Sequence, residues 1–409
     1  MLSNIEKSTN QAYLLFFLLI GVLTPLLSSV FCININKIYI LSFLIFGAFF
    51  VFYRARENYL DSTLLLGSLI ILITAIVSVT YQLNTILFVR LLSFIIVFPL
   101  VISVINCGVH NAIRAIHLVY ASLTILLLVE YILLLFDFSS TLKNVIFCES
   151  VEIRDYRSLH NRFSELINLG VPGLNSIFLG PQFANIILIQ TFFLSCVLFI
   201  KQKTHGVRYI IVAVVSFVLF LASPTGTGLI VFSLTSFVFL ILFPNYISQK
   251  VKIFFIFALF LFFTAAYFYL INFHGTDALN IVVVQNILDY SRFPLSGILL
   301  GMGGEFQTYF YSNEMHIINM AGMYGIIGSG VLLYMFISTI YNRRVVSLSN
   351  VDGKINALLF TPLLISLIHY NTFLSSGVYS LTMMHLAIAV VLKKQISSLL
   401  SEFDKISVR

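Results

Sequence analysis

Charge is what this chain has least of. Only 10% of its 409 residues are charged, against about a quarter in a soluble domain. By contrast 59% are hydrophobic, and the mean hydropathy is +1.02. A soluble globular domain is thereby excluded. The four cysteines have no metal-ligand spacing, and Cys32 and Cys148 read as free thiols. No Asp-x-Asp pair occurs, which argues against a metal-dependent enzyme using nucleotide sugars. No P-loop lysine accompanies the Gly-rich run Gly301-Met302-Gly303-Gly304, so it does not read as a nucleotide loop. The net charge of +7 comes mostly from basic residues flanking apolar runs, and it implies no nucleic-acid partner.

Apolar runs fill most of the chain. Twelve can be read: Ala12–Phe31, Ile38–Tyr53, Thr63–Tyr81, Thr85–Ile105, Ile116–Phe136, Gln182–Ile200, Tyr209–Ala222, Thr227–Phe243, Val251–Ile271, Ile317–Tyr341, Ala357–Tyr370 and Gly377–Leu392. Most are long enough to cross a hydrocarbon core of about 30 Å as helices. The expected fold class is therefore all-α, a polytopic membrane protein with about 12 transmembrane helices, one integral domain over residues 1–409. No small-x-small site ends the first run, so the first helix is expected to be retained.

With both termini placed in the cytoplasm, most of the 23 lysines and arginines fall on that side, as the positive-inside rule requires. The other side receives Lys37, Lys143, Arg154, Arg157, Arg162 and Arg292. Five of these sit in two long polar loops, residues 137–181 and 273–316, both on the non-cytoplasmic face. Two such loops on one face suit an enzyme acting on a lipid-linked substrate better than a transporter.

In the first loop, Ile153, Tyr156, Leu159, Phe163, Leu166 and Ile167 recur at helical spacing, with Arg154, Arg157, Asn161 and Glu165 opposite and Arg162 at the edge. Gly170 and Pro172 end this helix. It reads as an amphipathic helix at the membrane surface, whose arginines either meet lipid phosphates or line a site for a phosphorylated substrate. Guanidinium suits the second role because its planar fork donates two hydrogen bonds to phosphate oxygens. The second loop repeats the pattern with Leu279, Val282, Val283, Ile287 and Tyr290, a Thr276 N-cap and Pro294 beyond the helix end. Arg292, the glycine run, Glu305, Glu314 and His316 belong to the same loop.

Two charges lie inside spans at matching depth, Arg90 in the fourth and Glu130 in the fifth, roughly 8 Å from the outer end at helical rise. They form either an ion pair or the floor of an outward-facing cavity. His369 stands next to the outer end of the eleventh span, and His385, mid-span in the last, reads as a hydrogen-bonded packing residue.

Five short stretches in order carry a resemblance: Leu179-Gly180-Pro181-Gln182-Phe183-Ala184-Asn185, Ser223-Pro224-Thr225-Gly226-Thr227-Gly228, Arg292 before Gly301-Met302-Gly303, His316-Ile317-Ile318-Asn319, and Gly325-Ile326-Ile327-Gly328. On twelve spans with two outer loops, the chain resembles the O-antigen polymerase (Wzy-type) and ligase superfamily. One departure is that Gly173, Leu174 and Asn175 stand where an arginine often precedes the Pro-containing helix start, leaving Arg162 as the nearest upstream substitute. The resemblance implies a GT-C-like glycosyltransferase of the bacterial inner membrane that needs no metal or other cofactor. Its donor and acceptor would be oligosaccharide repeat units on polyprenyl diphosphate, and its partners membrane lipid and a polysaccharide chain-length regulator. Diphosphate contacts would fall to Arg292, to Arg157 or Arg162 with Arg154 beside them, and to Arg90 deeper, with Glu130 and His369 in the cavity. His316 would be the base and Glu314 the reserve. A ligase transferring glycan to lipid A-core, and a flippase for the same lipid-linked glycan, are the alternatives.

Overall fold

A computed structural model describes residues 14–15, 17–19, 21, 97–136, 181–201, 206–222, 226–244, 249, 256, 264, 290–301, 316–347, 350–367 and 376–407. Among the described residues the chain is overwhelmingly helical and has no strand, in keeping with an all-α fold. The helices are α1 (Val97–Cys107), α2 (Val109–Leu135), α3 (Pro181–Lys201), α4 (Gly206–Ala222), α5 (Gly226–Leu242), α6 (Leu295–Leu300), α7 (His316–Ile340), α8 (Val351–Ser366) and α9 (Ser376–Ser407).

By length and composition, Val109–Leu133 and Phe183–Lys201 are apolar and long enough to cross a membrane. The surface pattern agrees. Leu118, Ile125, Val129 and Ile132 form an exposed stripe on α2, and Val207, Ile210, Ile211, Val214 and Val218 form another on α4. Water-facing surfaces rarely keep such stripes. The interior, meanwhile, holds Asn185, Gln190, Thr191 and Ser195 of α3.

Two helices are central. α3 packs against α2, α4, α5 and α8, and α8 packs against α2, α3, α5, α7 and α9. Phenylalanine joins α3, α4 and α5: Phe192, Phe193, Phe217, Phe220, Phe232 and Phe239 meet with ring centroids 5.1–5.8 Å apart. Each such pair contributes about 0.5–1.5 kcal/mol beyond simple area. Polar pins then fix register where apolar contact alone would let helices slide. Thr124 donates to Thr191 at 3.4 Å, and the Gln190 amide donates to the Leu359 carbonyl. His385 is indeed a hydrogen-bonded packing residue: Nδ1 meets Asn356 Oδ1 at 2.8 Å, and the Asn356 amide donates to the His385 carbonyl at 2.9 Å.

Three expected boundaries shift. The loop expected between Ile105 and Ile116 reduces to Gly108, whose φ of 84° lets α2 begin at once. His110 and Arg114 then sit on the exposed side of its first turns. α8 starts at Val351 and not at Ala357, because the Asn350 side chain caps it by accepting from Gly353 N at 3.0 Å. Gly353 packs there against the Val345 carbonyl, where a Cβ would not fit. The single span expected over Ile317–Tyr341 is in fact two helical segments meeting at Gly325, where φ is 71° and ψ is 166°.

Candidate functional site

Contacts between helix ends sort the bundle into two faces. At one, Lys201 of α3 pairs with Asp352 of α8 at 3.1 Å, and Lys354 lies over the Phe243 ring at 5.9 Å. This is a basic, tied-down face. His117 joins it, 3.4 Å from Ser195 Oγ and edge-on to Tyr209. At the other face, Ile317 N donates to the Leu367 carbonyl at 3.0 Å, joining the start of α7 to the end of α8. Because α3 runs antiparallel to α8, its first residue, Pro181, lies at this second face. α2 runs antiparallel to α3, so its end at Leu135 lies there too.

The segment carrying Arg292 is docked on this second face. A turn closes with Phe293 N donating to the Tyr290 carbonyl at 3.3 Å. Pro294, at φ −60° and ψ 144°, starts the six-residue α6, as a residue with fixed φ readily does. The Tyr290 hydroxyl lies 3.1 Å from both the Ile298 and the Ala321 carbonyls, so it ties the turn to α6 and both to α7. Partial burial raises the Tyr290 phenol above its ordinary value, which keeps the hydroxyl a donor. Beyond the tyrosine, the backbone of Leu299 and Gly301 presses directly on Gly325, leaving no room for a Cβ. Sequence reading missed this contact. The cluster Gly325, Gly328 and Gly330 was its only visible sign.

Arg292 is solvent-exposed on this docked turn. His316 is the first residue of α7, and its side chain lies outside the described residues. The structure thus fastens the Arg292 segment to the helix that His316 opens. Arg90, Arg154, Arg157, Arg162, Glu314 and His369 lie outside the described residues. Glu130 is fully buried in α2. The antiparallel register that matches Thr124 with Thr191 matches Glu130 with Asn185, each six residues, or about 9 Å, nearer the second face. Asn185 is also buried. The level of Glu130 therefore carries a second polar side chain, from a stretch already singled out in sequence.

Compared with known protein families, with curated proteins and with solved structures, the chain has no match.

Proposed function

We propose that this chain is a surface-polysaccharide polymerase of the O-antigen type, a metal-independent glycosyltransferase in the bacterial inner membrane. In this reading about twelve helices cross the bilayer in a GT-C-like arrangement with both termini cytoplasmic. The basic face is cytoplasmic and the second face periplasmic. The observation that carries the reading is the docking of the Arg292 turn onto the helix opened by His316, at the face where α3 also begins. Residues 137–181 and 273–316 then both return to the bundle at one face, as two periplasmic loops sharing a site would.

The chemistry asked of that site is simple. A hydroxyl of the acceptor repeat unit attacks the anomeric carbon of the donor's reducing-end sugar. The carbon–oxygen bond to polyprenyl diphosphate breaks, and the diphosphate leaves with the bonding pair. His316 takes the hydroxyl proton, with Glu314 as reserve. Arg292 meets the charge growing on the diphosphate, a contribution of a few kcal/mol per well-placed donor. Arg157 or Arg162, with Arg154 beside them, would add to it from the first loop and Arg90 from below. Membrane lipid surrounds the site, and a chain-length regulator is the expected protein partner.

Deleting the gene and analysing the surface polysaccharide tests the class of function. Single-repeat glycan on lipid A-core supports the polymerase. Full-length polymer left on its lipid carrier would indicate a ligase, and repeat units stranded on the cytoplasmic side a flippase.

A further inference from the structure

We propose that the junction of α2 and α4 at the basic face is a docking site for one anionic phospholipid. Arg114 and Arg208 hold its phosphate, and its acyl chains lie on the exposed apolar stripes of the two helices. These helices pack against each other, and both pack on α3. They also begin at the same face, because α2 runs antiparallel to α3 and α4 follows α3 after a short connection. On α2, His110, Arg114 and Leu118 are spaced four residues apart and all three are exposed. The basic residues therefore continue the line of the apolar stripe that runs on to Ile125. On α4, Arg208 stands beside Val207 and one turn before Ile211, and these three are exposed as well.

A contact across the two helices sets the cations in place. The Arg208 guanidinium lies over the Tyr209 ring, its carbon 4.9 Å from the centroid, and donates to the Tyr209 hydroxyl at 3.1 Å. Stacking fixes the plane of the fork that would meet phosphate oxygens. The Tyr209 ring in turn meets the His117 ring edge-on at 5.2 Å, and His117 sits one turn beyond Arg114. The ring contact thus brings both arginines to one junction. Their stems tilt toward the helix starts, as in any α-helix, and so toward the headgroup level. Among the described side chains the carboxylates are Glu130, buried deeper in α2, and Asp352, paired with Lys201. Neither is left over to neutralise this junction.

Charge and apolarity together identify the occupant. A soluble anion would meet the arginines and leave the stripes uncovered. A zwitterionic lipid would cover the stripes but bring no net charge. An anionic phospholipid does both, and basic pockets between helices at a membrane surface suit such headgroups. A basic rim attracts anionic lipid diffusely along its whole length. This junction differs in joining arginines from two helices, one of them held flat on a ring, above a shared apolar surface. The site rests on the membrane-spanning reading of α2 and is independent of the polymerase reading.

The chain contains no tryptophan, so Leu118→Trp, at a position 52% exposed and one turn from Arg114, supplies a single fluorescent reporter. The full chain carrying it is placed in bilayers of phosphatidylcholine and phosphatidylglycerol, with one or the other brominated on its acyl chains. Quenching then gives the relative affinity of the two lipids at that spot. A preference for phosphatidylglycerol of about 5–10-fold is expected at low salt, given two basic residues at the headgroup level. Arg114→Gln with Arg208→Gln should reduce it to within about twofold of no preference. Lys393→Gln with Lys394→Gln, which removes two charges from α9 instead, should leave it unchanged. Equal quenching by the two lipids, or an equal loss in the lysine variant, overturns the site. Quenching by neither lipid would mean that protein, such as a second copy of the chain, covers the stripes, and that also overturns it.

Discussion

The Tyr290 hydroxyl stands 3.1 Å from the Ala321 carbonyl, so a residue two positions before Arg292 is fixed to a residue five positions after His316. Tyr290→Phe removes only that clamp. The expected cost is about 1 kcal/mol of stability, with transfer reduced about 5–10-fold at near-normal protein abundance. The pH dependence follows from the raised phenol. A group whose folded pKa exceeds its unfolded value contributes stability that is complete below the unfolded value, about 10 for tyrosine, and is lost as pH rises through the folded one. Thermal unfolding in detergent should therefore show a constant gap between the unaltered chain and Tyr290→Phe from pH 6 to 9, narrowing only above about 10. A gap that opens below pH 8 would contradict the clamp.

Gly325→Ala meets two obstacles at once. Its φ of 71° lies where an L side chain is strained, at about 1–3 kcal/mol, and the new methyl would collide with the Leu299 carbonyl and Gly301. Loss of transfer and a lowered unfolding temperature are expected together. Gly330→Ala is the control, because nothing lies within 4 Å of its added carbon. Equal behaviour of the two variants would show that the break is unimportant.

Glu130, fully buried in α2, separates two roles for the charges within the spans. Under the cavity reading, Arg90→Leu and Glu130→Leu each abolish transfer, and the double variant stays inactive while folded. Recovery of activity in the double variant would make the pair a structural ion pair. Normal activity in Arg90→Leu alone would remove Arg90 from the site.

Much of this helical architecture could be read from apolar runs, since helices are the only fold such stretches adopt in hydrocarbon. Hydropathy is blind to what happens at single glycines. Gly108 compresses an expected loop to one residue, and Gly325 divides an expected span, because each adopts a φ that no apolar count can register. The early start of α8 was hidden for a different reason. Asp352 and Lys354 look like loop residues until Lys201 and the Phe243 ring are seen beside them. His385 was legible as a packing residue, though only folding could name Asn356 as its partner. For the proposed site, Arg292 and His316 were picked out by residue type and order. Tyr290 was not, because its significance lies in a carbonyl gained across the docked turn.

The central claim, transfer at the Arg292–His316 face, is tested most directly by purified protein and lipid-linked repeat units, with polymer length as the readout. The unaltered chain should extend them without added metal. Arg292→Lys should be markedly impaired, because an ammonium keeps the charge but not the planar fork. His316→Ala should lose about 10²–10⁴-fold, the usual worth of a general base. Both variants should remain in the membrane at normal abundance. Polymer formed at the unaltered rate by both variants would contradict the account.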